Sequence, residues 1–280
     1  MKVKEIYFIS LFYLFVIKSS GQSTRDHVQE NRGLPLICGH RGGQDKLLPE
    51  NSFSTIDYTV KNCNSKPVII EIDVRKGLDG TLFILHDETM ERTTDGRGRI
   101  DELPDVYLKS LFLKDSKGKL TKEHIPTFDS LLHYSRDKAF ILMLDIKADV
   151  WREVIERLVQ EKLQHRAIVL TFEMDNLKKV YELSKEVRIS CLIRTEGDWN
   201  AINSLSIPTE NLIAYINGNT PQNLISQLKN NFLMIMADVD EGALKNPNPL
   251  PRKWYNEFVK KRRLDIVITD FPVEVSEKLR

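Results

Sequence analysis

Apolar residues in this chain gather in short runs, separated by longer stretches in which apolar positions return every three or four residues. The short runs begin at Leu36, Val68, Ala139, Ala167, Arg188, Leu212, Phe232 and Ile266. Each is four to nine residues long, which suits a strand buried on both faces. The longer stretches predict helices at residues 127–134, 151–163, 176–183, 199–205, 221–228 and 254–261. Asp175 is a candidate cap for the third of these. Asn51 or Ser52 caps an earlier helix that carries Phe53, Ile56 and Val60 on one face. Asp79-Gly80 is a turn signal, so residues 81–85 pair back on the second strand as a hairpin. Residues 89–122 are rich in Asp, Gly, Lys and Arg and read as a long connection, with a short helix near 106–112.

Eight strands alternating with helices argue for an α/β protein with a parallel sheet. They predict a closed (β/α)8 barrel, a TIM barrel with a small hairpin and loop insertion after the second strand. An open doubly wound sheet is the alternative. The absence of a Gly-x-Gly-x-x-Gly turn after the first strand weakens its dinucleotide-binding form. We expect a single domain over residues 34–280, within the usual size of such barrels.

The N-terminus departs from this pattern. Lys2 and Lys4 precede an almost wholly apolar run at residues 6–17, followed by Ser19-Ser20-Gly21. That is the layout of a secretory signal peptide over residues 1–21, with a polar leader at 22–33. The run is too short to span a bilayer comfortably, which takes about 20 residues, and an uncleaved N-terminal anchor is the alternative. The expectation is an exported protein, periplasmic or extracellular, with no stable membrane insertion after cleavage. Charge is balanced, with 41 Lys and Arg against 40 Asp and Glu, so no basic footprint argues for nucleic acid. Cys38 and Cys191 sit in apolar runs and read as core residues. A Cys38–Cys63 bridge stays open at this point.

The candidate chemistry lies at the C-terminal ends of the strands. His40 and Arg41 end the first run, and His86 ends the hairpin. Side chains alternate along a strand, so Glu71, Asp73 and Arg75 share one face and Ile70, Ile72 and Val74 the other. Two carboxylates on a buried strand are costly when unpaired. A hard divalent cation, Ca²⁺ or Mg²⁺, would offset that cost. Arg41 offers a planar fork for phosphate oxygens, and a salt bridge to Glu50 or Asp270 is its structural alternative. Asp145 and Lys147 repeat the alternation of the second strand, with mutual pairing as their plain reading. Asp238 and Asp240 follow the seventh strand, and spacing alone gives them no role. His27, His124, His133 and His165 carry no such context.

His40-Arg41-Gly42, Pro49-Glu50-Asn51, Glu71-x-Asp73, Asp79-Gly80 and His86-Asp87 occur in this order. Arg92-Thr93-Thr94, Gly98, Ile125-Pro126-Thr127-Phe128, Asp145-Ile146-Lys147 and Ile268-Thr269-Asp270-Phe271-Pro272 follow. The series resembles the glycerophosphodiester phosphodiesterases and covers nearly the whole chain after residue 33. The resemblance implies a metal-dependent hydrolase that cleaves a small glycerophosphodiester to glycerol phosphate and an alcohol. It implies His40 and His86 as the acid–base pair, Arg41 and Lys147 as phosphate contacts, and Glu71, Asp73 and Asp145 as metal ligands. Glu50 and Asn51 would orient them. Asp145 stands where the family more often has Glu, one methylene longer. Two other readings remain: a phospholipase D-like transesterase that releases a cyclic phosphate from intact lipid, and a barrel that binds phosphodiesters without turnover.

Overall fold

The computed structural model describes residues 33–44, 46–231, 233–240 and 248–280. The predicted signal peptide, the leader apart from Gly33, and the strand start at Phe232 lie outside the described residues.

Eight parallel strands form the barrel: β1 (Leu36–Gly39), β2 (Val68–Lys76), β6 (Phe140–Ile146), β7 (Ala167–Thr171), β8 (Arg188–Leu192), β9 (Leu212–Tyr215), β10 (Met234–Asp238) and β11 (Ile266–Thr269). Neighbours pair in chain order, and β1 pairs with both β11 and β2, which closes the ring. A closed sheet leaves no barrel strand with an unpaired edge. The longest register joins β2 to β6 from Val68↔Phe140 to Val74↔Ile146, and sets Asp73 beside Asp145.

The alternation of each strand divides its side chains between two apolar shells. Ile70, Ile72, Val74, Leu142 and Leu144 point outward and pack under the helices, against Leu131, Leu132, Val154, Ile155 and Leu158. Leu36, Cys38, Ile69, Ile141, Met143, Ile168, Ile213, Met236 and Ile268 point inward and fill the barrel. Such layered filling makes the interior a packed core. All three cysteines are buried thiols, so the Cys38–Cys63 bridge is not made.

The predicted helices are present with shifted ends. Ser52 caps Phe53–Asn62 by accepting from the Thr55 N–H at 3.3 Å, which leaves Asn51 for another task. Thr127 caps Phe128–Ser135 in the same way. Thr195 and Asp198 form a reciprocal capping box on Glu196–Asn203. Asp175 is not a cap: the helix runs over Met174–Leu183, and Asp175 sits inside its first turn, where a carboxylate complements the helix dipole.

The insertion after β2 is more structured than a polar connection. Strand β3 (Leu82–Ile84) pairs antiparallel with β2. A short helix (Asp105–Ser110) and a two-stranded ribbon, β4 (Phe112–Lys114) with β5 (Leu120–His124), follow. Phe83, Leu85, Met90, Ile100, Leu108, Leu111, Leu113 and Ile125 give this region its own small core.

Candidate active site

The inward positions change character at the C-terminal ends of the strands. On β1 the series Leu36, Cys38 continues to His40. On β2, Ile69 is followed by Glu71 and Asp73; on β6, Ile141 and Met143 by Asp145. On β10 and β11 the same step leads to Asp238 and Asp270. An apolar barrel interior thus opens into an ionisable mouth, the end at which barrels of this kind carry their sites.

Glu71, Asp73 and Asp145 each direct a carboxylate oxygen into one cluster, with those oxygens within 4.8 Å of one another. Glu71 and Asp73 are 2 % and 1 % exposed. Burial, the Asp73 charge and the Asp145 charge push the Glu71 carboxyl up to about 8, against the pull of His40. Burial also raises Asp145, opposed by Lys147. Lys147 lies 2.5 Å from Asp145 and 3.4 Å from Asp73. Asn51 donates to Asp73 Oδ2 at 2.9 Å and accepts from the Asp73 backbone N–H at 3.2 Å, which fixes that carboxylate's orientation. Three hard oxygen donors that repel one another when ionised are a donor set that fits a divalent cation such as Mg²⁺ or Ca²⁺. The triad can hold such an ion.

Each histidine at the mouth meets a carboxylate through Nδ1. His40 Nδ1 lies 2.8 Å from Asp270 Oδ1, and His86 Nδ1 lies 2.7 Å from Asp87 Oδ1. A carboxylate on one ring nitrogen sets the tautomer and leaves Nε2 for other partners. Burial would lower the His40 imidazole. The Asp270 hydrogen bond and the charges of Glu71, Asp270 and Asp238 outweigh it and raise the group to about 9. Asp238 itself is pushed up to about 6, chiefly by burial.

Arg41 occupies the left-handed backbone region at φ 51°, which turns the chain sharply after β1. Its N–H donates to Glu71 Oε2 at 2.7 Å, and its guanidinium reaches Glu50 at 3.2 Å. Its Nε is buried without a hydrogen-bond partner and faces Asp73 Oδ2 at 3.8 Å. Of the two salt-bridge partners expected for Arg41, Glu50 takes that place and Asp270 pairs with His40 instead.

All nine sequence candidates therefore lie in one connected region. Sequence reasoning missed Asp270 as the partner of His40, Asp87 as the partner of His86, and the part played by Arg92. Arg92 donates to Glu50 at 2.6 and 2.7 Å and to Asp87 at 2.5 and 2.8 Å. His-Asp adjacency was a usable signal for Asp87. Asp270 is 230 positions from His40 in sequence, and only barrel closure brings the two together.

A parallel eight-stranded barrel with an acidic triad, two carboxylate-paired histidines and an arginine at its C-terminal mouth defines an α/β-barrel protein with a charged site that can hold a metal ion. The sequence profile of the Glycerophosphoryl diester phosphodiesterase family matches residues 40–274, and the chain belongs to that family. A glycerophosphodiester phosphodiesterase of Caldanaerobacter subterraneus subsp. tengcongensis is 27 % identical over 164 residues, 56 % of this chain and 66 % of that protein. Glycerophosphodiester phosphodiesterase 1 of Homo sapiens is 25 % identical over 155 residues, 53 % of this chain and 46 % of that protein. The chain thus spans between about half and two thirds of the length of these relatives. Among solved structures, a glycerophosphoryl diester phosphodiesterase from Parabacteroides distasonis superposes with a TM-score of 0.79 at 26 % identity, covering 92 % of each chain. A phosphodiesterase from Oleispira antarctica, solved with its product sn-glycerol-3-phosphate, gives 0.68 at 21 % identity over 92 % of this chain and 99 % of that one.

Proposed function

We propose that this chain hydrolyses small glycerophosphodiesters to glycerol phosphate and an alcohol, with His40 and His86 as the acid–base pair. The observation that carries the reading is the pairing of both imidazoles, through Nδ1, with carboxylates on either side of the acidic triad. Glu71 feels the charge of His40, and Asp145 feels that of His86. The product named for the Oleispira antarctica relative agrees with this substrate class.

Phosphodiester hydrolysis needs a proton taken from the attacking oxygen and a proton given to the leaving alkoxide. Imidazole both accepts and donates a proton, which suits both tasks, and the acidic groups at the mouth favour the protonated form of His40. Nε2 of one histidine accepts the proton of the attacking hydroxyl, and Nε2 of the other donates to the alcohol oxygen as its bond to phosphorus breaks. The division of roles between the two rings is unassigned. Arg41 and Lys147 hold the phosphoryl oxygens, and Glu71, Asp73 and Asp145 would hold a divalent cation. Such an ion, when bound, neutralises charge that develops on the phosphoryl group. The attacking oxygen is either water or the neighbouring glycerol hydroxyl, the latter by way of a cyclic phosphate.

The test is alcohol release from a headgroup panel (choline, ethanolamine, inositol and glycerol diesters) with Ca²⁺, with Mg²⁺ and with chelator. Release that depends on one of the ions is expected. Saturable binding of the diesters with no release under either ion would overturn turnover in favour of binding alone.

We also propose export, from the charge and hydropathy layout of residues 1–21. Among the described residues no helix is long and apolar enough to cross a membrane. N-terminal sequencing of the native protein should begin near Gln22; an intact Met1 in a cytosolic fraction contradicts export.

A further inference from the structure

Arg92 lies outside the acidic triad and touches neither histidine, yet it joins the two sides of the mouth. Its guanidinium makes two forked contacts at once. Nη1 and Nη2 reach the Glu50 oxygens at 2.6 and 2.7 Å, and Nε and Nη2 reach the Asp87 oxygens at 2.5 and 2.8 Å. Beyond Glu50 stands Arg41, at 3.2 Å; beyond Asp87 stands His86 Nδ1, at 2.7 Å. The series Arg41–Glu50–Arg92–Asp87–His86 therefore links the proposed phosphate-binding arginine to one of the two proposed acid–base histidines through a single guanidinium.

An arginine with 48 % of its side chain exposed would ordinarily hold its place loosely, and one surface ion pair contributes little. This arginine is different because its backbone is pinned. Met90, two residues before it, is fully buried in the insertion core. Thr94, two residues after it, is also fully buried, and its hydroxyl donates to the Met90 carbonyl at 2.7 Å. The Thr93 carbonyl accepts from the Lys114 N–H at 2.7 Å, and Thr94 bridges to Leu113. The ribbon and its core thus present Arg92 on a fixed turn. The paired acceptors suit the fork of a guanidinium and cannot both be matched by an ammonium.

We propose that Arg92 is a positioning residue, which holds Glu50 against Arg41 and Asp87 against His86 so that phosphate grip and proton transfer are aligned together. The proposal rests on the hydrolase reading above. Without Arg92, two neighbouring carboxylates lose their shared counter-charge, and each is free to rotate away from the group it orients. Loosening His86 lowers kcat, and loosening Arg41 raises KM. A misplacement of about 1 Å can reduce turnover by roughly 10²-fold.

The experiment compares wild type, Arg92→Ala, Arg92→Lys, Asp87→Asn and the double variant Arg92→Ala/Asp87→Asn on a glycerophosphodiester, with thermal melts alongside and His86→Ala as control. Arg92→Ala should lower kcat by roughly 10–10²-fold and raise KM, while its fold persists. Arg92→Lys should recover little of the loss. Added guanidinium ion should restore part of the Arg92→Ala activity, and ammonium should not. The double variant should be no slower than the worse single variant, because both act through His86. If Arg92→Ala melts early, Arg92→Lys carries the test, since it keeps the charge and the stem. Wild-type kcat and KM in Arg92→Ala, full recovery in Arg92→Lys, or losses that multiply in the double variant would each overturn the clamp. A wild-type chain that turns over no diester overturns the hydrolase reading and the clamp with it; active wild type and inactive His86→Ala beside an unimpaired Arg92→Ala overturn the clamp alone.

Discussion

The floor and the mouth of the barrel are made by the same strands and the same alternation, two or four residues apart, yet they are opposite in character. At the floor, Leu36, Ile69, Ile141, Ile168 and Ile266 bring apolar side chains together. At the mouth, the same positions of those or neighbouring strands carry His40, Glu71, Asp73, Asp145, Asp238 and Asp270. Burying apolar surface stabilises the fold by roughly 25 cal/mol per Å². Burying carboxylates beside one another opposes it. Glu71 shows that opposition directly, since burial and its acidic neighbours hold it near 8. The floor therefore accounts for stability, and the mouth is a place where the fold tolerates instability for chemistry.

That contrast can be broken from either side. The largest effect is expected at the mouth: His40→Ala or His86→Ala should each lower turnover per folded molecule by roughly 10²–10⁴-fold. Steady-state kinetics with parallel thermal melts check this, and divalent-ion binding followed by calorimetry should survive both changes. At the floor the balance reverses. Leu36→Ala should destabilise the chain by about 2–5 kcal/mol in denaturant titrations, while kcat per folded molecule stays near wild type.

A third change crosses the two behaviours in one residue. The Glu71 carboxyl is raised above its ordinary 4.5, so its ionisation opposes folding. The penalty is absent below that ordinary value and grows as pH rises towards 8. Without divalent ion, Glu71→Gln should therefore be more stable than wild type at pH 8, by on the order of a few kcal/mol, and equal to it near pH 4. The same variant should bind Mg²⁺ or Ca²⁺ more weakly. Denaturant midpoints at the two pH values and an ion titration measure both.

The smallest effect lies at the rim. Asp87 is held well below the usual carboxylate range, first by the Arg92 hydrogen bond and then by His86, against the effect of burial. Its contribution to stability is present above an unfolded value of ~4 and is lost as pH falls below it. In Arg92→Met that contribution shrinks, so the stability gap from wild type should narrow in acid. Both partners are partly exposed, which keeps the gap under ~1 kcal/mol. Melts between pH 6 and pH 3 follow it.

Much of this contrast was legible in the sequence, and for a physical reason. A strand buried on both faces reads as a bounded apolar run, so seven of the eight expected starts fall within one residue of described strands, and Phe232 lies outside the described residues. The period of two put Glu71 and Asp73 on one face before any fold was known. Three things were hidden. The β4–β5 ribbon is mostly exposed and polar, so no apolar run announced it. The last helix, Pro272–Lys278, is short and opens on a proline that reads as a breaker unless its place at the first turn is known. Asp270 and Arg92 find their partners through barrel closure and through the insertion's own core, neither of which leaves a local trace.

Phosphorus-31 NMR on purified protein with sn-glycero-3-phosphocholine and its ethanolamine analogue tests the two-histidine reading most directly. One spectrum follows substrate, cyclic phosphate and glycerol phosphate together. The account predicts that glycerol phosphate accumulates with Mg²⁺ or Ca²⁺, that any cyclic signal is transient, and that formation nearly stops in EDTA and in folded His86→Ala. Undiminished glycerol phosphate from His86→Ala or in excess EDTA, or cyclic phosphate as the sole lasting product, would contradict it.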